Sequence, residues 1–439
     1  MAGQKVIAIY APNISPRLSY TVATLFGNEA LVSANKLTFL QHDGPRINYS
    51  HEFLDVRNLW IHPHGLLEES GIAAQEIELI QWKGFAAFFK TSDGTIPFDV
   101  FAAAFYLLSR YEEYLSHEKD KYGRFPAEAS LAFKARFLQQ PLIQCWIKAL
   151  GWELRLLFPD FRLQAIPFQF IPTYDIDLAF AYLNQPLTKQ VVGFFKTLYQ
   201  GKFEAFLEMA KVLSGNAADP SDQFQQLQTL HQELLLQPHY FFLLAAKRLG
   251  VDKNIAPSNQ ALQSIIQALS KQYPIGIHPS WQSGDEPALL LSEINCLSKI
   301  IDKPINTSRQ HYLRMQFPQT YERLLAAGIQ DDYTMGYASQ NGFRASYAGS
   351  FYWYNLTREC KTNLLIHPFC YMDATAIFYK REPVYEAAKE LHELTDMVIQ
   401  YGGEMMAIFH NDFLTQQPEW IEWSQLHEDW LRKYATTSS

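Results

Sequence analysis

The chain has 439 residues, 48% of them apolar and 19% charged, which excludes a disordered protein and suffices for two or three domains with their own cores. Its net charge of −8, with no long run of Lys or Arg, argues against binding nucleic acid or an anionic membrane surface. Four scattered cysteines, Cys145, Cys296, Cys360 and Cys370, make no C-x-x-C pair and fit a reducing compartment. No stretch reaches the roughly 18 apolar residues of a membrane span. The opening MAGQKVIAIYAPN has too short an apolar run for a signal peptide, so a cytoplasmic location is expected.

In chain order, KVIAIYA (5–11) and ELIQWKGFAAFFK (78–90) read as strands. TSDGTIPFD follows, and its Asp93-Gly94 pair fits a hairpin or tight connection. Next comes VFAAAFYLLSRYEEYL, read as an amphipathic helix with Asp99 as its N-cap. The tail SHEKDKYGRF is expected to be polar and exposed. A second helix is expected from Pro141 to Phe158, and PDFRLQAIP marks a boundary. His62-Pro63-His64 reads as a loop. These features give an α+β region over residues 1–160.

From residue 165 the pattern changes. Short apolar runs recur, each ending in residues that can do chemistry. FQFIPTYDID ends in Asp175 and Asp177, HYFFLLAAK in a lysine, and YPIGIHPSW carries His278. PINTSRQHYLR carries Arg309, His311 and Arg314, AAGIQDDYTM carries Asp331 and Asp332, and NGFRASYAG carries Arg344. TNLLIHPF carries His367, and EMMAIFHND carries His410 and Asp412. Helical stretches such as NQALQSIIQALSKQ and YEAAKELHELTDMVIQYG alternate with them. Strand–helix alternation implies parallel pairing, and the recurring polar strand ends favour a (β/α) barrel of seven or eight strands. Residues 178 to about 236 read as a mostly helical insertion broken at SGNAADPSD.

Asp175 and Asp177 lie two apart on an extended strand end and therefore share a face. One carboxylate can hold a divalent cation while the other takes a proton from water. A D-x-D pair alone more often caps a turn or helix. The histidines that end three separate apolar runs, His278, His367 and His410, add weight. No G-x-S-x-G, G-x-x-x-x-G-K-[ST] or G-x-G-x-x-G appears, so a serine elbow and a phosphate-cradling loop are unsupported.

In this order the motifs resemble the NodB-homology polysaccharide deacetylases, carbohydrate esterase family four, over roughly residues 165–415. Thr173-Tyr174-Asp175-Ile176-Asp177 resembles the family's T-F-D-D motif with one residue inserted. By that resemblance Asp175 is the general base and Asp177 a metal ligand. Ile277-His278-Pro279-Ser280-Trp281 resembles half of H-[ST]-x-x-H. Gln282 stands where the second histidine belongs, and His311 is its candidate replacement. Gly342 to Tyr347 resembles the third motif, with Arg344 as the cation that orients Asp175. Ile408-Phe409-His410-Asn411 resembles the terminal L-x-H motif, whose histidine is the general acid. His367 fits that motif too, and position on the last strand favours His410. The whole chain also looks like a subgroup of such proteins with an added N-terminal domain, in which SRYEEYL and TYDID recur and which is associated with bacterial cell-surface polysaccharides.

The resemblance implies a distorted, seven-stranded barrel over residues 165–439. It also implies a divalent metal, Zn2+ with Mn2+, Co2+ or Fe2+ as alternatives, held by Asp177, His278 and His311. The activity implied is hydrolytic removal of an acetyl group from an N- or O-acetylated sugar of a polysaccharide or its precursor. The partner is thus a carbohydrate, on which Trp281 and Tyr347 could stack, although packing at the barrel rim is the favoured role of Trp281. Two other readings stay open: an inactive deacetylase-like barrel that binds a carbohydrate or a protein, and a hydrolase of small non-sugar amides. The sequence leaves the oligomeric state open.

Overall fold

The computed structural model describes residues 6–185 and 203–438. Its first sheet has the order β2-β1-β3-β4, all parallel, from β1 (Ile7–Tyr10), β2 (Ala30–Ser33), β3 (Arg46–Tyr49) and β4 (Leu59–Ile61). The stretch expected as one strand over 78–90 is a hairpin, β5 (Ile80–Trp82) and β6 (Phe85–Ala87). Lys83 and Gly84 both take positive φ, 53° and 86°, and turn the chain back.

The helix Val100–Leu108 starts at Asp99, whose Oδ1 accepts from the Phe101 and Ala102 amides. Its other oxygen accepts from the Tyr49 hydroxyl and the His64 amide, so one buried cap ties the helix to β3 and to the loop after β4. All nine helical residues are buried, so the helix is central rather than amphipathic. It also stops earlier than expected. Arg110 is left-handed at φ 54°, and its guanidinium turns inward to Glu113, Glu112 and the Tyr337 hydroxyl. The tail expected to be exposed is partly buried, with Arg124 and Phe125 each 6% exposed. The second expected helix is present as Leu142–Leu157. The four cysteines are unpaired, and no helix among the described residues is long and apolar enough to cross a membrane.

The second sheet has nine strands in the order β12-β13-β11-β10-β9-β8-β7-β15-β14. They are β7 (Phe168–Ile176), β8 (His239–Leu243), β9 (Ile275–His278), β10 (Thr307–Ser308), β11 (Asp331–Asp332), β12 (Phe351–Asn355), β13 (Cys360–Ile366), β14 (Tyr371–Met372) and β15 (Gly403–His410). Only β12 pairs antiparallel. The hydrogen-bonded order has two ends, β12 and β14, so the architecture is α/β with an open ladder. Arg344, expected near a strand end, lies in a segment without regular structure. Of the expected insertion, the helices Phe203–Leu213 and Phe224–Glu233 are present, and residues 186–202 lie outside the described residues. Gly276 of β9 has a packing reason: a Cβ there would stand 2.6 Å from the Phe241 ring of β8.

Strand β7 is anchored from behind by Tyr174, whose side chain leaves the face opposite Asp175. Its hydroxyl meets His231 Nε2 at 2.8 Å and His427 Nε2 at 2.7 Å. Both rings are buried, and among the described residues neither has a carboxylate partner. Burial drives both imidazoles down to about 3, and the proximity of His231 adds to the effect on His427. In the unfolded chain they would charge below about 6.5. The stability they contribute is therefore present above pH 6.5 and is lost as pH falls toward 3, at about 1.4 kcal/mol per histidine per pH unit. Urea unfolding between pH 7 and 4 should show this decline, and His427→Gln should flatten it. An unchanged slope in that variant would contradict the assignment.

Candidate functional site

The carboxyl ends of parallel strands are where open α/β sheets bind ligands, and here they gather the chemistry. Asp175 precedes the last residue of β7 and is 2% exposed. Its Oδ1 accepts from Arg309 Nη1 at 2.8 Å, while Oδ2 faces His278 Nε2 at 3.7 Å. Arg309, just past β10, also donates Nε–H to the Tyr333 carbonyl and rests 4.3 Å above the Phe241 ring. This buried cation takes the place that sequence comparison assigned to Arg344. Arg344 instead pairs with Glu113 of the N-terminal region and donates to the Gly336 carbonyl. It acts between segments rather than in the site.

Asp177 lies just beyond β7, with His278 at the end of β9 and His311 just past β10. One ligand atom from each falls within 4.8 Å of the others. Asp177 Oδ1 is 3.3 Å from His278 Nε2, and its Oδ2 is 3.3 Å from His311 Nε2. Both rings are oriented from behind. His278 Nδ1 is 2.6 Å from the Arg309 carbonyl, which only accepts, so Nδ1 carries the proton and Nε2 is free to ligate. His311 Nδ1 meets the fully buried Asp252 at 2.8 Å. Gln282, in the position of the missing histidine, donates to Asp252 and to the Lys247 carbonyl. It thus steadies the carboxylate behind the replacement ligand.

Charge within this cluster is unbalanced. Burial opposes charge on both groups, yet the imidazoles of His311 and His278 hold Asp177 well below the usual carboxylate range. The carboxylates of Asp177 and Asp252 push His311 up to about 9. Asp177 Oδ1 is buried and makes no hydrogen bond. A nitrogen–nitrogen–oxygen set that draws a proton to balance its charge fits a divalent cation, Zn2+ among them, which would supply that charge instead.

His410 ends β15 opposite Asp175 in register. Its Nδ1 meets Asp373 at 2.6 Å, and its amide donates to the same carboxylate at 2.7 Å. Burial lowers its affinity for a proton, but Asp373 outweighs this and lifts the imidazole up to about 10. Asp175, Asp177, His278, His311 and His410 all line one cavity of about 410 Å³. A wider, shallower groove of about 820 Å³ over the Phe203–Leu213 and Phe224–Glu233 helices has no such group of histidines.

His367 lies elsewhere. Its Nε2 meets Asp331 at 2.9 Å and its Nδ1 meets Ser350 Oγ at 2.8 Å, with Ser350 bonded to Glu404. Glu404 stands six residues before His410 on β15, roughly 20 Å along a strand. Of the aromatics expected to stack on a sugar, Tyr347 is buried and Trp281 carries the Arg314 guanidinium 4.1 Å over its ring. Neither lines the cavity. Its aromatic surface comes from Tyr122, Tyr312, Phe378, Tyr379 and Phe413.

The sequence reading missed Asp252 and Asp373. Asp373 follows the apolar run Phe369–Met372 and repeats the strand-end pattern, a signal that was available. Asp252 sits in a polar loop and carries none.

A family model described as a family of unknown function (DUF7033) matches residues 7–159. No curated protein matches the chain. Solved structures similar to part of it include one from Mycobacterium smegmatis assigned as a polysaccharide deacetylase (11% identity, TM-score 0.38, 61% of this chain and 85% of that one). The polysaccharide deacetylase Bc1974 from Bacillus cereus matches at 7% identity and TM-score 0.29, over 62% of this chain and 88% of that one. PuuE allantoinase matches at 12% identity and TM-score 0.35, over 62% and 91%.

The Asp373–His410 pair makes a direct expectation. In Asp373→Asn the imidazole loses the carboxylate that holds its proton, so its midpoint should fall from near 10 toward or below the ordinary 6.5. An NMR titration of histidine-labelled protein reads this. A midpoint that stays near 10 would mean another group holds the proton.

Proposed function

We propose that the chain is a metal-dependent hydrolase that removes an acetyl group from an acetylated sugar. The observation that carries this reading is the convergence on one cavity of an Asp–His–His set, a carboxylate bonded to a buried arginine, and a histidine bonded to a buried carboxylate. The motif order shared with the NodB-homology deacetylases supports it. In this reading residues 165–439 form a barrel-like domain, residues 1–160 a separate one, and the protein works in the cytoplasm.

Asp177, His278 and His311 would hold the divalent cation. When bound, the cation would supply Lewis-acid chemistry, activating water and polarising the acyl carbonyl. Asp175, held in place by Arg309, accepts the proton as water attacks through its oxygen facing His278. His410 keeps its proton at neutral pH and donates it to the departing amine or alkoxide oxygen, which would otherwise leave as a poor anion. Asp252 and Asp373 orient the two histidines and do not touch the reacting atoms. Asp412 stands beside Asp177 and His410, and burial together with the Asp177 carboxylate pushes its carboxyl up to about 7, so it carries only part of a negative charge near neutral pH.

Purified protein reconstituted with Zn2+, Mn2+, Co2+ or Fe2+ should carry about one ion per chain by mass spectrometry. Asp177→Ala and His278→Ala should lose it, and Asp252→Asn should bind about 10–100-fold more weakly. Asp175→Asn and His410→Ala should keep the metal and lose about 10²–10⁴ in kcat on acetylated oligosaccharides. Retained metal in Asp177→Ala would overturn the division between ligand and base. The position of Gln282 favours a second reading, an inactive carbohydrate-binding module. Full metal loading with no turnover of any acetylated sugar would select it.

A further inference from the structure

The segment Asp120–Arg124, from the N-terminal region, reaches the mouth of the cavity built by the second sheet. Lys121, Tyr122 and Arg124 line that cavity together with Asp175, His278 and His410. The segment is a tight turn. Asp120 accepts from the Tyr122 and Arg124 amides, and Gly123 takes φ 79°. Arg124 fastens it. The guanidinium donates to Asp120 at 2.7 Å, to the Tyr312 carbonyl at 2.7 Å and to the Tyr379 hydroxyl at 3.2 Å. Gln316 adds a bond to the Gly123 carbonyl and receives Lys119. The turn is thus anchored on both sides of the cavity mouth.

What it presents there is an aromatic ring edged by cations, with Lys121 Nζ 4.9 Å and the Arg124 guanidinium 4.8 Å from the Tyr122 ring centroid. The Tyr122 ring stands 5.0 Å from that of Tyr312, centroid to centroid. Tyr312 itself is held at φ 59°, a conformation rare for a bulky residue, directly after His311. Across the mouth, Phe378 is 55% and Tyr379 38% exposed, large apolar faces left open to solvent at the rim of a polar centre. Open aromatic faces around a hydrogen-bonding centre suit a ligand with flat apolar faces and polar edges, the character of a pyranose ring. A small acetylated amide would leave these faces uncovered.

We propose that the Asp120–Arg124 turn is a substrate-binding wall contributed by the N-terminal region, against which the sugar next to the reacting one packs on Tyr122 and Tyr312. Tyr122 is a binding residue here, and Arg124 a positioning residue that keeps the turn in place. The inference rests on the deacetylase reading for the reaction but not for the binding.

The test measures penta-N-acetylchitopentaose binding by isothermal titration calorimetry on the full, metal-loaded chain carrying Asp175→Asn, so that no turnover intervenes. Adding Tyr122→Ala to that parent should raise its Kd up to about tenfold, and Tyr122→Phe, which keeps the ring, should restore it. Equal Kd values for the parent, the Tyr122→Ala chain and the Tyr122→Phe chain would overturn the wall, as would no binding by the parent. Turnover of p-nitrophenyl acetate by the wild-type chain, lost with Asp175→Asn, tests the reaction separately. Without that turnover but with a Tyr122-dependent Kd, the wall stands and the deacetylase reading falls.

Discussion

The buried ion pair between Asp175 and Arg309 is the constraint on which the site depends. Neither side chain is more than 3% exposed, so each charge has lost its water and is balanced by the other. Such pairs add little net stability, but removing one partner commonly costs about 3–5 kcal/mol. Arg309 is fixed further by the Tyr333 carbonyl below and the Phe241 ring beside it. Gly276 lets that ring sit close to β9. Because one oxygen of Asp175 is bound to the guanidinium, the other is aimed at the His278 ring. The Arg309 carbonyl in turn orients that ring. One residue therefore sets both the carboxylate and the first imidazole.

The same economy holds for the other histidines. Asp252 binds the back of His311, the Trp281 amide and the Gln282 side chain, so the loop after β9 and the residue past β10 share one carboxylate. Asp373 binds His410 through ring and amide, joining the end of β14 to that of β15. Each imidazole has one nitrogen committed to the scaffold and one turned to the cavity. That division is what ligand and acid roles require.

The N-terminal region is attached by buried charge as well as by apolar packing. Glu113 lies between Arg110 and Arg344, all three almost fully buried. Burial opposes its charge, but the two guanidinium groups hold its carboxyl below the ordinary value. Arg17 binds Glu359 and the Leu66 and Gly71 carbonyls, a second crossing between the two sheets. These links fix the position from which the Asp120–Arg124 turn extends to the cavity.

The sequence by itself determined where β7, β9 and β15 end and which reactive residues end them. An apolar run that stops at a polar residue marks a strand leaving the core, and a spacing of two puts Asp175 and Asp177 on one side. That logic located Asp175, Asp177, His278 and His410, and the helices around them. Tertiary structure alone decided the partners. Asp175 meets Arg309 across 134 positions, His311 meets Asp252 across 59, and His410 meets Asp373 across 37. Arg344 and His367 carry local patterns as good as those of Arg309 and His410, yet one is drawn to Glu113 and the other to Asp331. The physical reason is that local periodicity specifies the face a side chain takes. The charge that will neutralise it depends on which distant strands and loops fold alongside.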